Sequence, residues 1–220
     1  MAETKDFVPA LGRPELTAGY DRIIAVMTRE RRWRARLLKQ VAPQAGETIV
    51  DIGCGTGTFA IMLKQACPDA RIVGVDPDPE VLRIARSKAD LANVAIEWNE
   101  AFGDDFSGIV SAGSADKVVS SLVLHQCPLD VKRSILAAMH LALKPAGRLT
   151  IADYGAQRTL LMRLLFRQVQ TLDGFENTQP NADGLLPGLM TGAGFETVEE
   201  AWSIPTPTGS ISLYLASRAP

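Results

Sequence analysis

The chain has 220 residues, a formal net charge of −2 at pH 7 and an isoelectric point of about 5.8. That length suits a single α/β domain with a sizeable core, and the charge gives no overall attraction to nucleic acid or anionic lipid. Three scattered cysteines and two histidines argue against a disulfide framework and a zinc site, so we expect no metal and a reducing, cytoplasmic setting. We also expect neither a signal peptide nor a membrane-spanning segment.

Short β-branched runs alternate with longer segments of helical apolar spacing, which is typical of βαβ units. An N-terminal helix is predicted from Tyr20 and ends before Pro43. Five apolar segments are predicted as strands buried on both faces: 47–53, 70–76, 93–98, 115–122 and 147–154. The predicted helices between and after them are 58–67, 79–91, 128–143, 157–172 and one within 181–195. The segments 195–204 and 210–218 are predicted as a closing antiparallel pair.

The stretch VDIGCGTGTFA, residues 50–60, places Gly53, Gly55 and Gly57 between the first predicted strand and the next helix. Glycines here allow a tight turn, and they also let a ligand approach the backbone and the helix N-terminus. The pattern alone is weak evidence. It lacks the third glycine of the dinucleotide fingerprint, because position 58 is threonine, and it lacks the lysine of a P-loop.

Two acids narrow the choice of ligand. Asp51 precedes the glycines, where a carboxylate would repel a pyrophosphate but attract a ligand that carries an ammonium and a sulfonium, as S-adenosylmethionine does. Asp76 ends the second predicted strand, where a carboxylate can accept both hydrogen bonds of a ribose diol. The alternative for Asp76 is the N-cap of the following helix. Cys54 is interpreted as a small loop residue and not as a nucleophile.

Five segments in order resemble the motifs of the class I S-adenosylmethionine-dependent methyltransferases, and the resemblance runs from about Tyr20 to the C-terminus. They are VDIGCGTG (50–57), VGVDPDPEVLRIAR (73–86), WNEAF (98–102), ADKVVSSLVLHQCP (115–128) and LKPAGRLTIADYG (143–155). Within that superfamily the chain is most similar to the branch that includes ubiquinone and menaquinone C-methyltransferases. It departs from the family pattern at Asn99 and Glu100, where Gly and Asp are usual.

The resemblance implies a Rossmann-like α/β fold with a seven-stranded, mostly parallel sheet, an antiparallel last strand and helices on both faces. It implies one domain over 1–220, with an N-terminal lid at 1–42 and a helical substrate-side insertion at 155–194. The implied cofactor is S-adenosylmethionine, and the product is S-adenosylhomocysteine. The implied cofactor-binding residues are Tyr20, Asp51, Gly53, Cys54, Gly55, Gly57, Asp76, Pro77, Glu100, Ala101, Ser120 and Leu122.

Three side chains at the carboxyl edge of the predicted sheet are candidates for the chemistry: His125, Asp153 and Tyr154. A neutral imidazole at His125 could take a proton from the acceptor as the methyl group arrives. The alternative is that His125 hydrogen-bonds the loop and shapes the pocket. Asp153 and Tyr154 could orient a substrate, or Tyr154 could cap the pocket. His140 lies inside a predicted helix and is interpreted as a core or boundary residue.

The expected activity is methyl transfer to a small, partly apolar, aromatic or quinol-like acceptor. Two alternatives stay open: a cofactor-binding regulatory protein without turnover, and another adenosyl-group enzyme on the same fold, which Asp51 and Thr58 disfavour. No nucleic-acid partner is expected. The basic cluster 29–39 is interpreted as a solvated face, with contact to an anionic membrane surface as the alternative.

Overall fold

The structure, a computed structural model, describes residues 28–220, so Tyr20 and the start of the predicted N-terminal helix lie outside the described residues. The described strands are β1 (Thr48–Ile52), β2 (Arg71–Asp76), β3 (Glu97–Glu100), β4 (Ala115–Ser121), β5 (Leu143–Tyr154), β6 (Glu196–Thr206) and β7 (Gly209–Ser217). They form one sheet in the order β3-β2-β1-β4-β5-β7-β6. The first five strands pair in parallel, and β7 pairs antiparallel with both β5 and β6. The predicted fold class and the closing antiparallel pair are therefore confirmed.

The helices lie on both faces of this sheet because successive strand residues point to opposite sides and both sides are apolar. They are α1 (Glu30–Val41), α2 (Thr58–Ala66), α3 (Pro79–Leu91), α4 (Leu129–Ala142), α5 (Leu160–Asp173), α6 (Phe175–Ala182) and α7 (Leu186–Gly192). On β1, Val50 and Ile52 belong to a core that includes α4 and α7. Ile49 belongs to a second core, on the other face, that includes α1, α2 and α5. Among the described helices, none is long and apolar enough to cross a membrane.

The strand order reverses between β1 and β4, which lie side by side while their chains continue to opposite sides of the sheet. Open α/β sheets bind ligands at the carboxyl ends of such strands. In this chain the carboxyl ends of β1 and β4 lead directly into the glycine loop and into a short 3₁₀ turn at Leu124–Gln126. The topology therefore brings the predicted cofactor-binding residues and the candidates for the chemistry to the same carboxyl edge of the sheet.

The third strand begins later than its apolar pattern predicts, at Glu97 and not at residue 93. Residues 93 and 94 instead end α3: Asn93 donates to the Asp90 carbonyl at 3.0 Å, and Val94 donates to the Ala89 carbonyl at 3.0 Å. Asn93 has a φ of 53°, the left-handed conformation that asparagine tolerates at a helix end. The apolar run 93–98 therefore covers both the end of α3 and the start of β3.

The helix α6 is absent from the sequence predictions because its sequence, FENTQPNA, has weak helix propensity and contains Pro180. Tertiary contacts hold it in place. The Asn181 side-chain amide donates to the Tyr154 carbonyl at 2.9 Å, and Lys132 Nζ donates to the Asn177 carbonyl at 2.7 Å. These contacts anchor α6 to the carboxyl edge of the sheet.

Candidate functional site

The glycine loop follows β1 in a left-handed backbone, with φ values of 68°, 52° and 74° at Gly53, Gly55 and Gly57. A Cβ at Gly53 would lie 2.3 Å from a Val123 methyl group, and one at Gly57 would lie 2.4 Å from the Trp98 ring. A Cβ at Gly55 would meet no heavy atom of the described residues within 4 Å. Packing therefore demands two of the glycines, whereas Gly55 faces open space that a ligand can occupy.

Gly55 and Gly57 make a matched pair for testing this division. Gly57→Ala is expected to lower the free energy of unfolding by about 2 kcal/mol or more, because it adds a clash with Trp98 to a left-handed backbone. Gly55→Ala shares the backbone strain without a clash, so we expect a smaller loss of stability, of about 1–2 kcal/mol, together with a loss of cofactor affinity. Chemical denaturation and calorimetric titration with S-adenosylhomocysteine measure the two effects. Unchanged affinity in Gly55→Ala would mean that the ligand does not approach this glycine.

Asp76, at the end of β2, is 8% exposed and holds the glycine loop in place. Its Oδ2 accepts from the Gly55 N–H at 2.8 Å, and its Oδ1 accepts from the Asp78 N–H at 3.0 Å. Each oxygen keeps a second lone pair, so the carboxylate can bind ribose hydroxyls while it fixes the loop. The alternative role as a helix N-cap is wrong, because the N-cap of α3 is Asp78, which accepts from the Glu80 N–H at 2.8 Å.

Asp51 is 1% exposed, and neither of its carboxylate oxygens has a hydrogen-bond partner within residues 28–220. Burial raises the pKa of this carboxyl to about 7, the nearby Arg34 cation lowers it, and the Asp76 carboxylate raises it further. A buried acid without partners is costly in a folded protein unless a ligand pairs with it. The site therefore fits the cationic amino-acid end of S-adenosylmethionine.

The other predicted cofactor residues of the described chain gather along the same edge. Ala101 donates to the Asp76 carbonyl at 3.3 Å, and Glu100 ends β3 in register with Asp76. Across the switch point, the buried Ser120 hydroxyl donates to the Ile52 carbonyl at 2.9 Å, and Leu122 takes a φ of 57° while its N–H donates to the Ala152 carbonyl at 2.8 Å. These bonds fix the loops that would enclose the cofactor.

Cys54 and Pro77 flank the two acids in this arrangement. Pro77 directly follows Asp76 and is half-buried, and Cys54 is buried within the glycine loop. Burial, followed by the charges of Asp51 and Asp76, raises the pKa of the Cys54 thiol well above its usual range. The sulfur stays protonated, which favours the interpretation of Cys54 as a small loop residue.

His125 lies in the 3₁₀ turn after β4 and is 6% exposed. Its Nδ1 is 2.7 Å from Asp153 Oδ1, and its Nε2 is 3.3 Å from Asp173 Oδ2 at the end of α5. Burial alone would lower the pKa of this imidazole, but the two carboxylates, Asp153 foremost, raise it to about 9. At pH 7 the ring is therefore an imidazolium with both nitrogens paired, which favours a loop-holding role over proton removal.

Asp153 and Tyr154 end β5 beside this histidine and are buried. Asp153 accepts from the His125 ring, from the His125 N–H at 3.2 Å and from the Tyr154 N–H at 2.7 Å. The Tyr154 hydroxyl is 2.8 Å from Thr208 Oγ1, and its ring meets the His125 ring edge-on at a centroid distance of 4.9 Å. The structure thus brings all three candidates for the chemistry into one cluster, where their roles toward a substrate stay predictions.

Besides Asp173, two charged residues of this edge are missing from the predicted site residues. Lys132 is fully buried in α4 and donates to the Cys127 carbonyl at 2.6 Å and to that of Asn177 at 2.7 Å. Burial lowers its pKa to about 8, against the opposing effect of Asp153. Arg34, beside Asp51, belongs to the basic cluster of α1. Neither carries a local signal, because lysine and arginine are ordinary surface residues of amphipathic helices. In the described chain, no cluster of His, Cys, Asp and Glu could hold a metal ion.

Comparison with known proteins agrees with this geometry. A family model described as a methyltransferase domain matches residues 49–147. The chain is 29% identical over 157 residues to a demethylmenaquinone methyltransferase from Thermus thermophilus, covering 71% of this chain and 67% of the relative. It is 29% identical over 178 residues to a demethylmenaquinone methyltransferase from Deinococcus radiodurans, covering 81% of this chain and 70% of the relative.

Two solved structures show the same fold at lower identity. A SAM-dependent methyltransferase from Thermotoga maritima has a TM-score of 0.69 at 19% identity, over 93% of this chain and 96% of that chain. An O-methyltransferase family protein from Burkholderia thailandensis has a TM-score of 0.68 at 20% identity, over 92% of this chain and 60% of that chain. The fold is therefore shared well beyond the matched domain.

Proposed function

We propose that this chain is a class I S-adenosylmethionine-dependent methyltransferase that transfers the methyl group to a small, partly apolar acceptor such as an aromatic or quinol ring. The observation that carries the methyl-donor half is the buried carboxylate of Asp51, which has no hydrogen-bond partner within residues 28–220, together with the open space at Gly55. The acceptor half is supported by the names of the curated relatives, which are demethylmenaquinone methyltransferases.

The residues that would hold the cofactor are those of the β1, β2 and β3 ends. Asp51 would pair with the ammonium group, Asp76 would accept from the ribose hydroxyls, and Glu100 with Ala101 would lie beside the adenine. When bound, S-adenosylmethionine supplies a methyl group on a sulfonium, which is an excellent leaving group. The chain has to align the acceptor with that methyl group and exclude water, and orientation of this kind can supply up to ~7–11 kcal/mol.

The cluster around His125 supports catalysis by alignment. An imidazolium whose two nitrogens face Asp153 and Asp173 has no lone pair for an incoming proton. It can hold the β4 and β5 ends at a fixed spacing from α5, whose Phe166 ring packs against the Tyr154 ring with centroids 5.0 Å apart. We therefore propose that these aromatic rings border the acceptor and that His125 positions them.

Transfer of a labelled methyl group tests the proposal. The protein is incubated with S-adenosylmethionine carrying a tritiated methyl group and with fractions of a metabolite extract, and we expect label in a small, apolar compound. Asp76→Ala should reduce incorporation at least ~30-fold, because it removes the ribose acceptor and frees the loop at Gly55. Asp78→Ala is the matched control, since it removes a helix cap but no proposed ligand contact. Label on protein, RNA or DNA would contradict a small-molecule acceptor.

A cofactor-binding protein without turnover is the second candidate, and the paired state of His125 favours it over an enzyme that needs a general base. Both candidates require binding of S-adenosylhomocysteine in a one-to-one complex. Calorimetry that detects this complex, together with no incorporation of label into any fraction, would select the second candidate.

A further inference from the structure

The helix α5 exposes leucines on the side that faces away from the sheet. Its inner side is buried through Phe166 and Val169. The outward leucines, named here the leucine face, are 88%, 60%, 61% and 67% exposed at Leu160, Leu161, Leu164 and Leu172. These four make up almost half of the nine large apolar side chains that are exposed in residues 28–220. Single exposed leucines are ordinary, but several on the outward side of one helix, three of them within two turns, are typical of an interaction site.

The charges of α5 favour one kind of partner. Arg163 and Arg167 lie on the same stripe as Leu160 and Leu164, at helical spacings of three, four and seven residues. The helix has one acid, Asp173, and its carboxylate is directed inward to His125. The exposed side of α5 therefore carries arginines and leucines without an acid of its own.

The neighbouring acids remove only part of this positive charge. Arg163 lies 3.3 Å from Asp183 in an exposed pair, which is weak in water. Arg167 makes no ion pair with any residue of the described chain. An amphipathic helix with arginines beside exposed leucines binds in the plane of an anionic lipid surface, where the leucines enter the headgroup boundary and the arginines meet phosphates.

The basic cluster of α1 lacks the apolar half of such a surface. Of its large apolar residues, Trp33, Leu37 and Val41 are buried in the core and Leu38 is half-buried against it. Arg34 pairs with Glu30. Arg31 and Arg32 are exposed, but no large apolar side chain of their own helix is exposed beside them. Charge without insertion gives weak, salt-sensitive attraction, so α5 is the better candidate for membrane contact.

We propose that the leucine face of α5, with Arg163 and Arg167, docks this protein on an anionic membrane surface. The docking helix also contributes to the candidate site through its opposite side, because α5 carries Phe166 against Tyr154 and Asp173 against His125. Membrane binding itself requires neither cofactor nor acceptor, so it goes beyond methyl transfer and stands or falls separately from the proposed function.

Co-sedimentation of the full chain with vesicles tests the proposal. Vesicles that contain one third phosphatidylglycerol are compared with pure phosphatidylcholine, in 0.1 M and in 0.5 M KCl. We expect at least tenfold stronger partition onto the anionic vesicles at low salt, and a several-fold loss at high salt. Equal partition onto both kinds of vesicle, or onto neither, would overturn the proposal.

Matched variants locate the surface. Leu160→Gln with Leu164→Gln should lower partition onto anionic vesicles at least tenfold, and Arg163→Gln with Arg167→Gln should lower it several-fold. Leu91→Gln with Leu141→Gln removes two leucines that are 86% and 58% exposed elsewhere, and it should change nothing. Arg31→Gln with Arg32→Gln should also leave partition near that of the parent. Because all of these side chains are exposed, thermal unfolding should confirm that every variant folds.

Two results would overturn the assignment to α5. If only the α1 arginine variant lost vesicle binding, the basic cluster would be the docking surface. If the parent failed to bind vesicles but sedimented as a dimer that the leucine variant dissociated, the leucine face would be an interface between two copies of this chain.

Discussion

Replacement of Asp51 by asparagine is expected to stabilise the ligand-free protein at pH 8. The folded state holds this carboxyl at a pKa of about 7, against an ordinary value of 3.8, because the group is buried without hydrogen-bond partners in the described chain. A raised acid pKa means that stability is lost as the pH rises from about 4 through 7, since the folded state must then bury a charge. At pH 8 the neutral variant should therefore have a free energy of unfolding higher by ~2–4 kcal/mol.

Denaturant titrations of the parent and of Asp51→Asn, from pH 4 to pH 8, measure this effect. The two proteins should be closest in stability at pH 4 and should diverge as the pH rises. Asp116→Asn is the control, because Asp116 is partly exposed and paired with Lys144 at 2.6 Å, which holds its pKa below the ordinary value despite some burial. Parallel pH profiles for parent and Asp51→Asn would contradict the buried-charge interpretation.

The same substitution should weaken cofactor binding, because the stabilised variant has lost the charge that an ammonium group needs. In the parent, affinity for S-adenosylhomocysteine should rise as the pH increases from 6 to 8, by up to about tenfold per unit below the pKa of Asp51. In Asp51→Asn the affinity should be lower and nearly independent of pH. A larger loss for S-adenosylmethionine than for S-adenosylhomocysteine would assign Asp51 to the sulfonium, whereas equal losses would assign it to the shared ammonium.

The position of a residue was predictable where a local sequence pattern determines it. A pairing between residues that are distant in the chain was not. Four of the five parallel strands follow from continuous apolar runs, whereas β3, at Glu97–Glu100, overlaps only the end of the run that predicted it. The positions of Asp51, Gly55 and Asp76 at the sheet edge follow from their place at strand ends. The pairing of His125 with Asp173 joins residues that are far apart in the chain and lie on separate elements. It depends on how α5 packs against the sheet edge, which no sequence window contains.

The roles of the buried cations in the site could not be predicted from the sequence either. Sequence places Arg34 in a basic cluster and Lys132 in an amphipathic helix, where each looks like a solvated cation. The fold brings Arg34 close enough to lower the pKa of Asp51 and buries Lys132 among backbone carbonyls. The sequence gives the sign of each charge, but its burial and its neighbours in the fold determine its pKa and its effect on nearby groups.

His125 is expected to titrate far above an ordinary histidine. NMR can follow both histidines of this chain. Burial and the nearby Arg218 cation lower the pKa of His140, whereas Asp153 and Asp173 raise that of His125 to about 9. We therefore expect one imidazole to titrate below 6.5 and the other near 9. Asp173→Asn should lower the pKa of His125 while Asp153 still holds the ring. Two titrations between 6 and 7 would contradict both ion pairs.

Removal of this histidine should be among the most destabilising single changes in the chain. His125→Gln leaves Asp153, which is fully buried, beside a neutral partner, and removal of one member of a buried ion pair costs about 3–5 kcal/mol. Because the folded pKa of His125 is raised, its stabilisation is complete below pH 6.5 and is lost as the pH rises through about 9. The difference between parent and variant in the free energy of unfolding should therefore shrink from pH 6 to pH 10. If the folded variant, assayed at low temperature, keeps its methyl-transfer rate, His125 holds the site together and takes no proton. A loss of kcat at unchanged stability would assign it to the chemical step.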